Sequence, residues 1–357
     1  MAEGKQIMMQ HPHGMGQMPK GILRVLAWET TKACTLACPH CRASAVENRN
    51  PEELTTEEGY RMLESAANAG KCIIILSGGE PLLRQDLELL AAKSVELGHK
   101  PVVSCNDGSL LTDERIKSLK KAGVQHFSFS MHSELEEDHD KFVRKPNAYK
   151  NALAAFERIK ANGLSFQINT TVLPGNFQRL DKIMDWVISL GASAWHLFFI
   201  VPTGRASSGS DEVKLSQEDT NKVLEHISEL ADTEKIPIKV TCAPQYAQLR
   251  ASQGKPSGSH GRSCMAGNGF IFVSWKGEVK PCGYFDMVVG NVREQPLADI
   301  YKNSQILIDM REQTKLNGAC GVCRFKTTCG GCRARAYAVN KDYMSTDPNC
   351  KFSASKI

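Results

Sequence analysis

At 357 residues, with 41% hydrophobic and 23% charged side chains, the chain can bury a substantial core and is neither a disordered protein nor a short disulfide scaffold. Its net charge of +5 is spread without a lysine or arginine block. That fits surface solubility first, and a small acidic ligand at least as well as nucleic acid. The 13 cysteines stand in a chain whose start, MAEGKQIMMQHPHGMGQMPKG, lacks an apolar leader and whose apolar runs are too short to span a bilayer. The expected setting is therefore a reducing cytoplasm, with no membrane partner, where metal ligation or redox chemistry outranks disulfides.

Residues 1–20 are rich in Met, His and Gly without periodicity and read as a mobile tail, in which His11 and His13 could touch a metal or heme. A strand–helix alternation then begins. Strands are expected at 22–28, 72–77, 101–106, 125–131, 164–172 and 193–200. Helices are expected at 55–69, 84–97, 112–122, 148–162, 177–190 and 216–232, the first capped by Thr55 or Thr56. This order implies an α/β fold, a partial (β/α)6 barrel over 21–240, with chemistry at the C-terminal ends of the strands. The Gly/Ser/Pro-rich stretch 251–263 is a connector, and a small irregular cysteine-dense domain occupies 241–357. Cys72 and Cys105 lie within apolar strands and read as core residues.

After the first strand comes ETTKACTLACPHCRASA, with Cys34, Cys38 and Cys41 in a C-x-x-x-C-x-x-C pattern. Three thiolates can hold three irons of a four-iron cubane and leave the fourth open to a small molecule. Zinc competes, but structural zinc closes with four ligands, and the only nearby candidate, His40, lies inside the loop next to Cys41. SGGEP (77–81) ends the second strand; its glycines permit close backbone approach, and Glu80 offers a carboxylate to an ammonium group.

The pairing of that loop with SGGEP one βαβ unit later closely resembles the radical S-adenosylmethionine (SAM) superfamily over residues 22–205. The resemblance implies a [4Fe–4S] cluster on Cys34, Cys38 and Cys41, with SAM on the remaining iron. Gly78, Gly79, Glu80 and Pro81 then line the SAM amine. Asn106 and Ser130 become ribose contacts, and Arg144 the carboxylate partner. His40 takes the place of an aromatic residue that packs on adenine.

Seven cysteines follow the connector, four of them in a C-x2-C-x5-C-x2-C array (Cys320, Cys323, Cys329, Cys332) and one, Cys282, closing G-x4-C. The region resembles the SPASM extension, whose array usually ends C-x3-C. That resemblance implies one or two auxiliary [4Fe–4S] clusters. One would sit on Cys320, Cys323, Cys329 and Cys350. The other would use Cys264, Cys282 and Cys332, with its fourth position filled by Cys242 or open. A zinc ribbon is the alternative. Arg324, Lys326, Arg333 and Arg335 suit the neighbourhood of an anionic cluster or a plain solvated face.

The strings IILSGGEPLLR, FFIVPTGRA, CMAGNGFIFVSWKGEVKPCGY and CGGCRARA resemble the heme-biosynthesis branch of the superfamily. Within it, the His/Gly/Met-rich tail favours heme b synthase activity: oxidative decarboxylation of two propionates of iron-coproporphyrin III to vinyl groups. The implied partners are an anionic porphyrin-like substrate and an electron donor such as ferredoxin or flavodoxin. Arg205 could clamp a propionate or cap the sheet end. The alternatives are a 12,18-didecarboxysiroheme deacetylase, a radical SAM/SPASM peptide maturase and, in a different class, an electron-transfer or zinc-binding structural protein.

Overall fold

The computed structural model describes residues 21–208, 212–256 and 264–350; the N-terminal tail with His11 and His13 and most of the 251–263 connector lie outside the described residues. Seven parallel strands alternate with helices: β1 (Val25–Glu29), α1 (Thr56–Ala69), β2 (Ile73–Ser77), α2 (Leu87–Glu96), β3 (Lys100–Cys105), α3 (Asp113–Lys121), β4 (His126–Ser130), α4 (Glu136–Val143), α5 (Ala148–Ala161), β5 (Ser165–Thr171), α6 (Leu180–Ser189), β6 (Trp195–Phe198), α7 (Gln217–Asp232) and β7 (Ile238–Thr241). Six strands are expected from sequence and seven form. The extra one, β7, is four residues long and follows Pro237.

The C-terminal segment adds α8 (Gln245–Ser252), β8 (Phe270–Val273), β9 (Glu278–Lys280), β10 (Gly290–Asn291), α9 (Leu297–Asn303), α10 (Gln305–Arg311), α11 (Gly318–Val322) and α12 (Arg333–Asn340). Its β8 pairs in parallel with β1, so one sheet of order β10-β9-β8-β1-β2-β3-β4-β5-β6-β7 runs across the boundary drawn at residue 240.

Side chains alternate across each strand. Leu26, Trp28, Ile74, Leu76, Val103, Phe127, Phe129, Ile168, Trp195 and Leu197 point outward into one continuous core with the helices. The next residue in each strand faces the concave side, leaving a lumen. Local signals place the helices. Thr55 caps α1 in a capping box: its hydroxyl accepts from Glu58 N (3.2 Å), and Glu58 Oε2 accepts from Thr55 N (2.9 Å). Arg293 from the C-terminal segment pairs with the same Glu58 at 2.8 Å, tying that segment to α1. Arg84, almost fully buried, donates to Thr30 O (2.7 Å), Leu54 O (2.8 Å) and Asp86 Oδ1 (2.7 Å), fixing the turn after β1 against α2. Cys72 and Cys105 are core residues, as their strands imply.

Candidate active site and auxiliary thiol sites

Cys34, Cys38 and Cys41 project from the loop that follows β1, each half-buried as a free thiol. The loop is braced at both ends. Glu53 accepts from Thr31 Oγ1 (2.7 Å) and Lys32 N (2.9 Å), and Cys34 N donates to Val46 O (2.7 Å). Leu36 N donates to Cys34 Sγ at 3.4 Å. Burial pushes the Cys34 and Cys38 thiols up to about 12, so these sulfurs ionise only against a compensating cation.

The Gly-Gly step of SGGEP is required by this loop. Gly79 N donates to Thr31 O (2.7 Å) and Glu80 N to Ala33 O (2.6 Å). A Cβ on Gly79 would lie 2.1 Å from Ala33 O, and one on Gly78 would lie 2.6 Å from Thr31 O. The close approach read from sequence as room for a ligand is, first, room for the backbone leading into Cys34.

Glu80, expected to face an ammonium group, is engaged by the protein backbone. Glu80 is fully buried, and its oxygens accept from Asn106 N (2.7 Å), Asp107 N (2.9 Å) and Leu82 N (3.2 Å). Burial raises its pKa to about 7 despite those donors. Glu80 is thus a clasp between β2 and β3. Pro81 opens the short turn beside it, with a 3-10 conformation over Pro81–Leu83. Asn106 and Ser130, on adjacent strand ends, come together: Asn106 Oδ1 accepts from Ser130 N at 3.0 Å.

Arg144, expected as a carboxylate partner, ends α4. It caps α4 in a left-handed conformation (φ 57°) and is exposed. The neighbouring residue turns inward instead. Lys145 Nζ lies 2.5 Å from Asp107 Oδ2, which also accepts from Thr35 Oγ1 at 2.5 Å, pinning the cysteine loop to the end of β3. Arg205 braces the cysteine loop. Its guanidinium donates to Cys38 O (2.9 Å) and Ala45 O, and its backbone N donates to Cys41 O (3.0 Å). It clamps the cysteine loop, and its charge opposes the rise in the Cys38 thiol. His40 stacks on Phe142 (4.9 Å) and meets His132 edge-on (4.8 Å). Burial lowers its pKa to about 4, and its Nδ1 is buried without a hydrogen-bond partner.

The C-terminal thiols fall into two groups. Cys320, Cys323, Cys329 and Cys350 line one cavity of about 430 Å³. Phe325 N donates to Cys323 Sγ and Gly331 N to Cys329 Sγ, each at 3.4 Å, the same two-residue step as Leu36 to Cys34. Such N–H···S bonds stabilise thiolate ligands. Gly330 and Gly331 are both left-handed (φ 69° and 65°), which makes the tight turn between Cys329 and Cys332. A Cβ on Gly331 would meet Arg333 Nη2 at 2.3 Å, and that same Nη2 donates to Cys320 Sγ at 3.4 Å.

Cys264, Cys282 and Cys332 form the second group, and Cys242 joins them. Cys242, Cys264 and Cys282 pack on the apolar cluster that contains Cys332. Cys242 follows β7 in a left-handed conformation (φ 63°), and its carbonyl accepts from Arg335 Nη2 at 2.6 Å. Arg335 is buried with Asp347 at 3.2 Å, and Asp347 accepts from Cys332 N at 2.7 Å. Burial raises the Cys242, Cys282 and Cys332 thiols, the last to about 11. Arg42, one residue after Cys41, pairs with Glu29 (3.3 Å), lies 4.5 Å from the Phe272 ring and opposes the rise in the Cys282 thiol. Among the described residues, no three or more His, Cys, Asp or Glu side chains converge on a single metal-ion position. Also among them, no helix is long and apolar enough to cross a membrane.

Comparison with known proteins agrees with this layout. Residues 28–187 match the radical SAM superfamily, and 264–330 match the SPASM iron–sulfur cluster-binding domain. An AdoMet-dependent heme synthase of Methanosarcina barkeri is 40% identical over 93% of this chain and 97% of its own length. One from Nitratidesulfovibrio vulgaris is 35% identical over 97% and 98%. The fold is that of Streptococcus suis SuiB bound to S-adenosylmethionine (TM-score 0.71, 16% identity, 93% of this chain and 78% of that one). It is likewise that of anSMEcpe bound to AdoMet and a peptide (TM-score 0.69, 18% identity, 92% and 94%). The matched domains imply a [4Fe–4S] cluster with SAM, and auxiliary iron–sulfur clusters. The chain is a radical SAM enzyme with a SPASM extension, and belongs to the heme-biosynthesis branch of that superfamily.

Proposed function

We propose that this enzyme oxidatively decarboxylates two propionates of iron-coproporphyrin III to the vinyl groups of heme b. The observation that carries the reading is identity with AdoMet-dependent heme synthases at 34–40% along nearly the whole chain, on a structure whose thiol groups fit the required clusters. A Fe-coproporphyrin III synthase and a PqqA peptide cyclase are each only 28% identical, so the deacetylase and peptide-maturase alternatives are less favoured.

Cys34, Cys38 and Cys41 would hold the SAM-binding cluster, three free thiols on one loop. The auxiliary sets would be Cys320, Cys323, Cys329 and Cys350, and Cys242, Cys264, Cys282 and Cys332, giving two fully ligated clusters. When bound, the cluster and SAM supply the 5′-deoxyadenosyl radical that removes a hydrogen atom from unactivated carbon. Asn106 and Ser130 stand at the strand tips where a ribose would lie. The unpartnered Nδ1 of His40 and its ring suit a polar aromatic cosubstrate. Each propionate that becomes a vinyl group loses a hydrogen atom, CO₂ and one electron. An auxiliary cluster is the fitting acceptor, and a ferredoxin or flavodoxin the fitting donor for the first cluster.

The test is anaerobic reconstitution followed by incubation with SAM, reductant and iron-coproporphyrin III. Appearance of mono- and divinyl products by mass spectrometry supports the reading. Deoxyadenosine without porphyrin turnover rejects it, and Cys38→Ala should release no deoxyadenosine at all.

A further inference from the structure

The lumen positions alternate with the outward core residues. On β1–β3 they are mixed: Val25, Ala27, Ile73, Ile75 and Val102 are apolar, and Glu29, Ser77, Lys100 and Ser104 are polar. On β4–β7 they are polar apart from Phe198. Lys239 on β7 is the register partner of His196 on β6, and both face the lumen because Trp195, Leu197, Ile238 and Val240 pack outward. Gln167 Nε2 lies 3.0 Å from His196 Nδ1, and Gln167 Oε1 lies 3.3 Å from His126 Nε2.

An amide nitrogen has only protons to offer, so His196 Nδ1 is the acceptor and the neutral ring carries its proton on Nε2. Burial, with Lys239 and His126 nearby, lowers the His196 pKa to about 3, which keeps the ring neutral. Gln167 thereby fixes a ring donor beside the Lys239 ammonium. Among the described residues, neither His196 Nε2 nor Lys239 Nζ has a hydrogen-bond or ion-pair partner. Lys239 is exposed on β7, and the protein packed around it lowers the ammonium's pKa. A cation and an N–H donor, held side by side in register, form a receptor for a ligand carboxylate.

We propose that Lys239 and His196, oriented by Gln167, bind a propionate carboxylate of the porphyrin substrate on the lumen side of the sheet, in the register row that reaches Ser130 through Asn169. The proposal rests on the heme-synthase reading and names the residues that recognise its substrate. The competing account makes Lys239 only a charge that keeps the edge strand β7 from pairing with another chain.

The test is optical titration of the reconstituted holoenzyme with iron-coproporphyrin III and, separately, with iron octaethylporphyrin, which carries no carboxylate. Lys239→Met should weaken coproporphyrin binding about 10–100-fold, the range for a charged hydrogen bond. It should leave octaethylporphyrin binding unchanged, and Lys239→Arg should recover most of the loss. If Lys239→Met does not fold, Lys239→Gln is read in the same way. Wild-type binding that these variants leave unaltered overturns the proposal alone. A wild-type holoenzyme that does not bind iron-coproporphyrin III overturns the heme reading, and this proposal with it.

Discussion

Gly79→Ala isolates one contact on which the SAM site depends. Gly79 is not in the left-handed region, so alanine meets no conformational penalty there, and the whole effect is steric. The added Cβ would stand 2.1 Å from Ala33 O, 2.6 Å from Ala33 C and 2.8 Å from Lys32 O. All three are backbone atoms, so no side chain can swing away. The two segments must separate by about 1 Å to reach ordinary contact. That breaks or stretches the bonds from Gly79 N to Thr31 O and from Glu80 N to Ala33 O, about 1 kcal/mol each. Ala33 immediately precedes Cys34, so the displacement passes to the first cluster thiol. A misplacement of about 1 Å at reacting groups can cost about 10²-fold in rate. Deoxyadenosine release should fall by that order in reconstituted Gly79→Ala, and the change that SAM produces in the reduced cluster's EPR signal should shrink. Wild-type deoxyadenosine release with a wild-type SAM response would refute the reasoning, because the clash would then be absorbed without moving the loop.

Cys242→Ser should alter the EPR spectrum of one auxiliary cluster while the SAM-responsive signal persists; spectra identical to wild type would exclude Cys242 as a ligand. Arg335→Met leaves the Asp347 carboxylate buried without its cation, at a cost of about 3–5 kcal/mol measurable by chemical denaturation. Adding Asp347→Asn should recover most of it, since the amide oxygen can still accept from Cys332 N. Asp86 gains Arg84 and Thr56 on folding, and its pKa is lowered below the unfolded value of about 3.9. Its contribution is therefore full above that value and lost as pH falls through the folded pKa. Asp86→Asn should flatten that part of the acid-unfolding curve, and an unchanged acid limb would count against the pairing.

The barrel strands were legible because each is a short apolar or alternating run ended by a turn. The first helix was legible from Thr55 and Glu58, whose spacing is that of a capping box. Strand β7 escaped notice because IKVT is short and places a lysine on the lumen side. Helix α4 escaped because EEDHDKFV carries five charged residues in eight and gives little apolar period. At the site, the cysteine pattern and SGGEP named the right segments, but the side-chain roles depended on local geometry. A single left-handed residue at Arg144 turns Lys145, not Arg144, toward Asp107. Glu80 and Arg205 have charges that suit ligands. Apart from Leu82 N beside Glu80, their side-chain bonds reach backbone 26 to 167 residues away, partners that no local pattern in a single sequence can specify.

The sheet order explains why the auxiliary thiols belong to the same machine as the SAM site. Because β8 pairs with β1, the loop after β1 lies between SGGEP after β2 and the hairpin that leads to Cys282. Arg42 makes the link physical: it follows Cys41, lies over Phe272 of β8, and a Cβ on Gly283 would sit 3.1 Å from its Cδ. At the other edge, Cys242 leaves β7 and joins thiols that flank β8 and β9. Arg335 reaches across the same gap to the carbonyls of Cys242 and Ile200, the second just beyond β6. An open sheet with two free edges would leave its lumen to solvent, and radical chemistry needs water excluded. Thiols contributed from both edges, gathered round one cluster, would lace the gap shut. The SPASM segment would then close the barrel as well as accept the electron.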